Sequence, residues 1–150
     1  MEDLVLRIIR HEGFKSFPYQ DTLGHWTIGC GHCITEQTAK NSYPNGISYK
    51  DAIGLLEADL DAAKLAVARE LPWTLGMDEL RLGILVEMTF QLGIAGVLRF
   101  VKMLNAIRNQ DWETAAEEML DSLWVKQAPY RAQELANLME NGYNQENSST

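Results

Sequence analysis

Leu4, Val5, Ile8 and Ile9 repeat with the spacing of one helical face, Glu12 continues that face by one turn, and Gly13 follows as a stop. This pattern predicts a helix over about residues 3–12 that ends in a carboxylate. From Phe17 to Cys33 the helical period is gone, and aromatic, threonine and isoleucine positions broken by Pro18 and Gly24 predict a short β region. A polar loop with Pro44-Asn45-Gly46 comes next. Ser48 followed by Asp51 has the character of a capping box with Asp in place of Glu, and Ile53, Leu56, Leu60, Ala63 and Val67 then repeat at helical spacing until Pro72. At ~1.5 Å per residue that helix would be roughly 30 Å long, enough to join two lobes. Beyond it the pattern is helical throughout, with breaks near Gly93 to Gly96, near Asn109 to Asp111, and near Pro129; Asp111 is a good N-cap before Trp112. Met88, Phe90, Leu104, Trp112, Ala116, Leu120 and Trp124 are the expected core of this helical part. The last ten positions are rich in Asn and Ser and are expected to fray.

Composition narrows the class. A chain of 150 residues with 46% hydrophobic content has the length of one domain with a real core. No uninterrupted apolar run approaches the ~18 residues of a membrane span, and Arg7 and Arg10 interrupt the apolar start, so neither membrane insertion nor a secretory signal is expected. Thirteen basic against twenty-one acidic residues give a net charge of −8 with no basic run, which argues against nucleic acid as a partner.

The chemistry is concentrated where the first helix meets the β region. Glu12 lies one turn beyond an apolar stripe and at a helix C-terminus; desolvation and the helix dipole both favour its protonated form there, as a general acid at neutral pH requires. Asp21 begins the turn Asp21-Thr22-Leu23-Gly24, where backbone N–H groups and water keep a carboxylate ionised. Across the hairpin, Thr27 brings back a hydroxyl that can donate and accept. Two carboxyls in contrasting settings beside a hydroxyl make a glycosidase-like set. Read singly, each of the three is also a common occupant of its place: a helix end, a turn and a strand.

Cys30 and Cys33 form C-x-x-C around His32, but no second pair exists to complete a zinc site and no thioredoxin-like context surrounds them, so reduced, partly buried thiols are expected. No metal or cofactor is implied.

The ordered motifs His11-Glu12-Gly13, Tyr19-Gln20-Asp21-Thr22 and Trp26-Thr27-Ile28-Gly29-Cys30-Gly31-His32 resemble those of the T-even-type phage lysozymes, the glycoside hydrolase family 24 muramidases. The likeness continues through Ile47 to Ala63, Phe90-Gln91-Leu92-Gly93, and Trp112 followed by Trp124 to Arg131, and so covers about residues 3–140. It implies a lysozyme-like α+β fold, mainly α. The pieces would be a small β-hairpin lobe over about 13–58, a linking helix over 48–71, a helical lobe from 1–12 and 72–140, and a flexible tail over 141–150.

The resemblance also implies an endolysin that hydrolyses the β-1,4 bond between N-acetylmuramic acid and N-acetylglucosamine in peptidoglycan by inversion. Glu12 matches the acid, and Asp21 and Thr27 match the pair that holds the water. Phe90, Gln91, Cys33 and Arg131 match substrate-binding positions, with Arg131 behind Glu12; His32 and Asp59 match a structural pair. A monomer is expected, made in the host cytoplasm until lysis and reaching the periplasm and cell wall through a holin lesion. Two other readings share the motifs: a lytic transglycosylase on the same bond, and a non-catalytic wall-binding or virion module. Met103 and Glu118 stand where the family has small or amide residues, and the loop between Thr35 and Ile47 is shorter. The net charge of −8 also departs from the many basic members. Attraction to an anionic wall should be weak, so activity is expected to rise from very low to moderate ionic strength.

Overall fold

A computed structural model describes residues 2–142. The expected flexible tail falls almost wholly outside the described residues. The fold is α+β and mainly helical, and it divides into an N-terminal unit ending at Ala62 and a C-terminal unit beginning at Ala63.

Unit one opens with α1, Leu4–Glu12, whose first turn is capped by Asp3 accepting from the Leu6 N–H at 2.8 Å. Three antiparallel strands follow in the order β1-β2-β3: Lys15–Gln20, Trp26–Gly29 and His32–Cys33. The β region therefore starts two residues before Phe17 and has a third strand beyond the expected hairpin. Pro18 sits in β1, an edge strand, where a missing N–H is tolerated, and the β1–β2 register shifts between Lys15 and Tyr19. Residues expected as loop form α2, Glu36–Asn41, capped by Thr35. This helix is polar on every side and has no buried residue, so no apolar stripe announces it.

Ser48 accepts from the Asp51 N–H at 3.1 Å and starts α3, Tyr49–Glu70, which carries the chain into unit two. Gly29 and Ala52 set the approach of α3 to the sheet: a Cβ on Gly29 would lie 3.0 Å from that of Ala52. Ile8, Ile28, Ala52, Leu56 and Leu60 are buried in this unit.

Unit two continues α3 through a 3-10 turn, Pro72–Thr74, into α4 (Glu79–Leu98), α5 (Val101–Arg108), α6 (Trp112–Leu120), α7 (Leu123–Gln127) and α8 (Pro129–Asn141). The expected breaks are present. Gly93 takes φ +76°, ψ 157° inside α4, a conformation open to glycine and strained for other residues. Asp111 caps α6 by accepting from Thr114, and Pro129 opens α8. Ala115 and Ala116 on α6 and Ala132 and Ala136 on α8 are buried small residues that let these two helices pack closely. Met88, Met103, Met119 and Met139 are fully buried, flexible side chains that fill an irregular core.

Of the expected core residues, Met88, Leu104, Ala116 and Trp124 are buried, whereas Phe90, Trp112 and Leu120 are only half-buried. Trp112 departs because the Arg81 guanidinium lies over its ring, 4.0 Å from the centroid. Arg81 in turn donates to the Met139 and Glu140 carbonyls at the end of α8. Although α4 lacks a continuous apolar run, its 20 residues include an 18-residue stretch of mean hydropathy 1.4, the length and composition of a membrane-crossing helix. Leu80, Ile84, Leu85 and Met88 are buried along it, and so is the charged Glu87, as in the core helix of a folded domain.

Candidate active site

Glu12 is half-buried and ends α1, where the Gly13 N–H closes on the Ile9 carbonyl at 2.7 Å. The turn between β2 and β3 lies directly against its side chain. A Cβ added to Gly31, whose φ is +82°, would meet Glu12 Cγ and Cδ at 3.0 Å and Oε2 at 3.1 Å. Glycine at 31 therefore serves both the backbone turn and the space that the Glu12 carboxyl occupies.

Asp21 holds the β1–β2 turn together. Its Oδ1 accepts from the Leu23 and His25 backbone N–H groups at 2.9 and 2.8 Å, and His25 Nδ1 lies 3.4 Å from Oδ2. Two backbone donors on one oxygen fix the carboxylate's orientation, and the side chain is 35% exposed.

Thr27, in the middle strand between its register partners Tyr19 and Cys33, is buried. Its hydroxyl donates to the His25 carbonyl at 3.0 Å. With the proton committed, the Thr27 oxygen faces any further partner as an acceptor.

Three neighbours report the electrostatics of this corner. Burial, then Glu12, then Asp21 push the Tyr19 phenol above its ordinary value, with smaller contributions from the two cysteines. Burial first, then Asp21, Asp59 and Glu12, push the Cys33 thiol up, and burial with Glu12 does the same to Cys30. Tyr19 and Cys33 thus lie in the fields of both candidate carboxylates. Tyr19 was not among the candidates from the sequence, although it stands two residues before Asp21. Both cysteines are free thiols, Cys30 buried and Cys33 exposed on β3. His32 Nδ1 meets Asp59 Oδ2 at 2.8 Å, tying β3 to α3.

In unit two, Gln91 Oε1 accepts from Trp124 Nε1 at 2.9 Å, and half-buried Phe90 precedes it on α4. Arg131 is buried, and its Nε donates to Glu87 Oε2 at 2.8 Å; Glu87 is fully buried, one turn before Gln91. Glu87 was not among the candidates from the sequence. Its signal was a carboxylate inside the apolar run Ile84-Leu85-Val86-Glu87-Met88, where an unpaired charge would be costly. Met103, Glu118 and Trp124 line a pocket of about 640 Å³ that also includes Leu92, Phe100 and Gln127.

The model of the family described as phage lysozyme matches residues 9–141. The chain belongs to the phage lysozyme family. It is 30% identical over 152 residues to the probable T4-type lysozyme 1 of Dictyostelium discoideum, an alignment covering 87% of this chain and 89% of that one. The probable T4-type lysozyme 2 of the same organism is also 30% identical, with the same coverage. The pre-baseplate central spike protein Gp5 of Enterobacteria phage T4 is 30% identical over 153 residues, 89% of this chain but 27% of that protein. Membership makes the chain a lysozyme, a glycosidase that degrades peptidoglycan. Among the described residues no group of His, Cys, Asp and Glu has the arrangement of a metal site.

Proposed function

We propose that this lysozyme hydrolyses the β-1,4 bond between N-acetylmuramic acid and N-acetylglucosamine, with Glu12 as general acid and Asp21 and Thr27 holding the attacking water. The observation that carries the reading is the committed hydroxyl of Thr27. With its proton on the His25 carbonyl, Thr27 offers lone pairs, as does the Asp21 carboxyl through the oxygen that the backbone N–H groups leave open. A water that donates one O–H to each keeps its own lone pair directed outward for attack on the anomeric carbon. Glu12 delivers its proton to the leaving glycosidic oxygen, and Asp21 takes up the proton that the water loses as the new C–O bond forms. A water on the face opposite the leaving group inverts the anomeric centre, so the first product from a β bond is the α anomer.

Phe90, Gln91, Cys33 and Arg131 are the further residues proposed to bind substrate. Through its bond to Glu87, Arg131 acts as a fixed element, whereas Cys33 is open to contact. The proposed setting is an endolysin acting as a monomer, held in the host cytoplasm until a holin lesion admits it to the wall.

Turbidity loss on outer-membrane-permeabilised Gram-negative cells tests the assignment, with wild type beside Glu12→Gln and both confirmed folded by circular dichroism. The variant is expected to lose about 10²–10⁴-fold in rate. Equal clearing by both proteins would remove Glu12 from the chemistry. Product analysis completes the test: a free reducing end formed first as the α anomer is expected, and a 1,6-anhydro end would replace hydrolysis with transglycosylation.

A further inference from the structure

Two tryptophans have no part in the reaction above, and unit two brings them to one concavity. Trp73, from the 3-10 turn, and Trp112, at the start of α6, line a pocket of about 370 Å³ together with Leu75, Asp78, Arg108 and Gln110. None of these residues belongs to the catalytic set. From this lining we infer a second, non-catalytic binding site for a glycan, which takes an uncharged pyranose segment against the two indoles.

The lining selects the ligand class. Its one guanidinium and one carboxylate leave no net charge among the six residues, which disfavours a phosphate or other polyanion and equally a cationic peptide. What remains is a neutral surface with apolar indole area beside an amide, a carboxylate and a guanidinium. A pyranose ring has the complementary character, a C–H face for stacking and hydroxyls at its edge for hydrogen bonds. The volume lies near the lower end of the ~300–1,000 Å³ typical of small-ligand sites, which suits a short saccharide.

The site is also held in place before any ligand arrives. The Arg81 guanidinium lies 4.0 Å from the Trp112 ring centroid and is itself anchored to the Met139 and Glu140 carbonyls. The Arg108 guanidinium stands 5.8 Å from the centroid of Trp73. Trp112, held by the anchored Arg81, loses little further freedom on binding. Gln110 brings its amide to the pocket from the turn that closes α5, where the Gln110 and Asp111 N–H groups donate to the Ile107 and Ala106 carbonyls. Among the described residues it is the one non-glycine with positive φ, +59°, at the end of α5, where glycine would be free of strain.

Such a site answers the charge difficulty. A chain of net charge −8 gains no long-range attraction to an anionic wall, so its retention there must come from short-range contact with the uncharged part of the polymer. The choice of N-acetylhexosamine as the sugar rests on the proposed muramidase reading; the pocket itself does not.

The test uses the Glu12→Gln protein, so that nothing is hydrolysed, titrated with N,N′,N″-triacetylchitotriose while the four indole N–H signals are followed by NMR. Trp26, beside Thr27, reports the catalytic set and Trp124, bonded to Gln91, reports that proposed substrate-binding residue; Trp73 and Trp112 report the pocket. Saturable movement of the Trp73 and Trp112 signals is expected, weakened at least tenfold by Trp73→Ala. Leu75→Asp is the control for folding, because Leu75 is 92% exposed; it should weaken the same titration while leaving that of Trp26 unchanged. Movement at Trp26 and Trp124 alone would overturn the second site and leave the muramidase reading standing. No movement at any of the four would overturn it as well, with the Glu12 chemistry then judged by the turbidity assay.

Discussion

Unit one holds His32 against Asp59 and unit two holds Arg131 against Glu87, both at 2.8 Å. The surroundings differ. The His32 and Asp59 side chains are 25% and 31% exposed, those of Arg131 and Glu87 9% and 0%. Equal distance does not mean equal energy. In the partly exposed pair water screens the attraction and solvates either partner left behind. In the buried pair the charges have already lost most of their hydration, so the pair contributes little relative to an apolar replacement yet is severe to break. The His32–Asp59 pair of unit one therefore stays near water, whereas unit two uses its buried Arg131–Glu87 pair to fix α8 against α4 at the turn that precedes Gln91.

The largest expected effect breaks that contrast at its stronger end. Glu87→Ala leaves the Arg131 guanidinium without the carboxylate its Nε now serves, at a cost of about 3–5 kcal/mol. Asp59→Ala should cost about 1 kcal/mol or less. Urea unfolding of both variants measures the two losses, and similar midpoints would show that burial does not separate the pairs. A Glu87→Met/Arg131→Leu double variant sharpens the point: it should recover much of the loss, because the desolvation penalty disappears with both charges.

Next in size is Gly31→Ala. The new Cβ meets Glu12 at 3.0 Å on a backbone at φ +82°, a conformation that costs a non-glycine residue about 1–2 kcal/mol. The expected outcome is a lower unfolding midpoint together with a loss of lytic rate beyond what the folded fraction explains, since the same methyl group displaces the proposed acid. A stability loss with unchanged specific activity would show that Glu12 has room to move.

These two sites also mark how far the sequence could be read. The stretch from Glu12 to Thr27 is local: an apolar stripe, a turn-forming Asp and a returning strand bring the three side chains into one unit, and each step leaves a pattern in the sequence. Helices α1 and α3 were legible for the same reason, through their apolar faces and, for α3, the Ser48 cap, and the break at Gly93 through its residue type. Helix α2 was not, because it buries nothing, and β3, with two residues, is too short for any period to show. Glu87 was missed because its partner is 44 positions away, and no local spacing pairs them. Trp112 was misplaced because hydropathy assigns an indole to the core, while here a guanidinium from α4 shares its ring.

A smaller effect tests the local reading directly. Ser48 accepts the Asp51 N–H at the start of α3, an exposed cap, and Ser48→Ala should cost about 1 kcal/mol. Restoration by Ser48→Asp, which keeps an acceptor at that position, would assign the loss to capping; equal loss in both variants would assign it elsewhere.

The smallest expected effect returns to unit one and its acidic corner. Cys30, Cys33 and Tyr19 all have folded-state values raised, chiefly by burial and then by the carboxylates around them. The unfolded chain therefore gives up these protons first as pH rises. Stability from this source is complete below the ordinary thiol range and is lost as pH climbs through it toward the folded-state values. The sign is opposite to that of a salt-bridged carboxylate, whose contribution fails on the acid side. Thermal unfolding followed from pH 7 to pH 10 should show a falling midpoint, and Cys30→Ala/Cys33→Ser should make that fall shallower without removing it, because Tyr19 remains. Alkylation supplies the site-resolved check. Exposed Cys33 should react with iodoacetamide more slowly at pH 8 than a free thiol does, because its thiolate is suppressed, while buried Cys30 should stay protected until the fold opens. Alkylation of Cys33 at the rate of a free thiol, with parallel stability curves for the two proteins, would mean that neither burial nor the nearby carboxylates suppress the thiolate on β3.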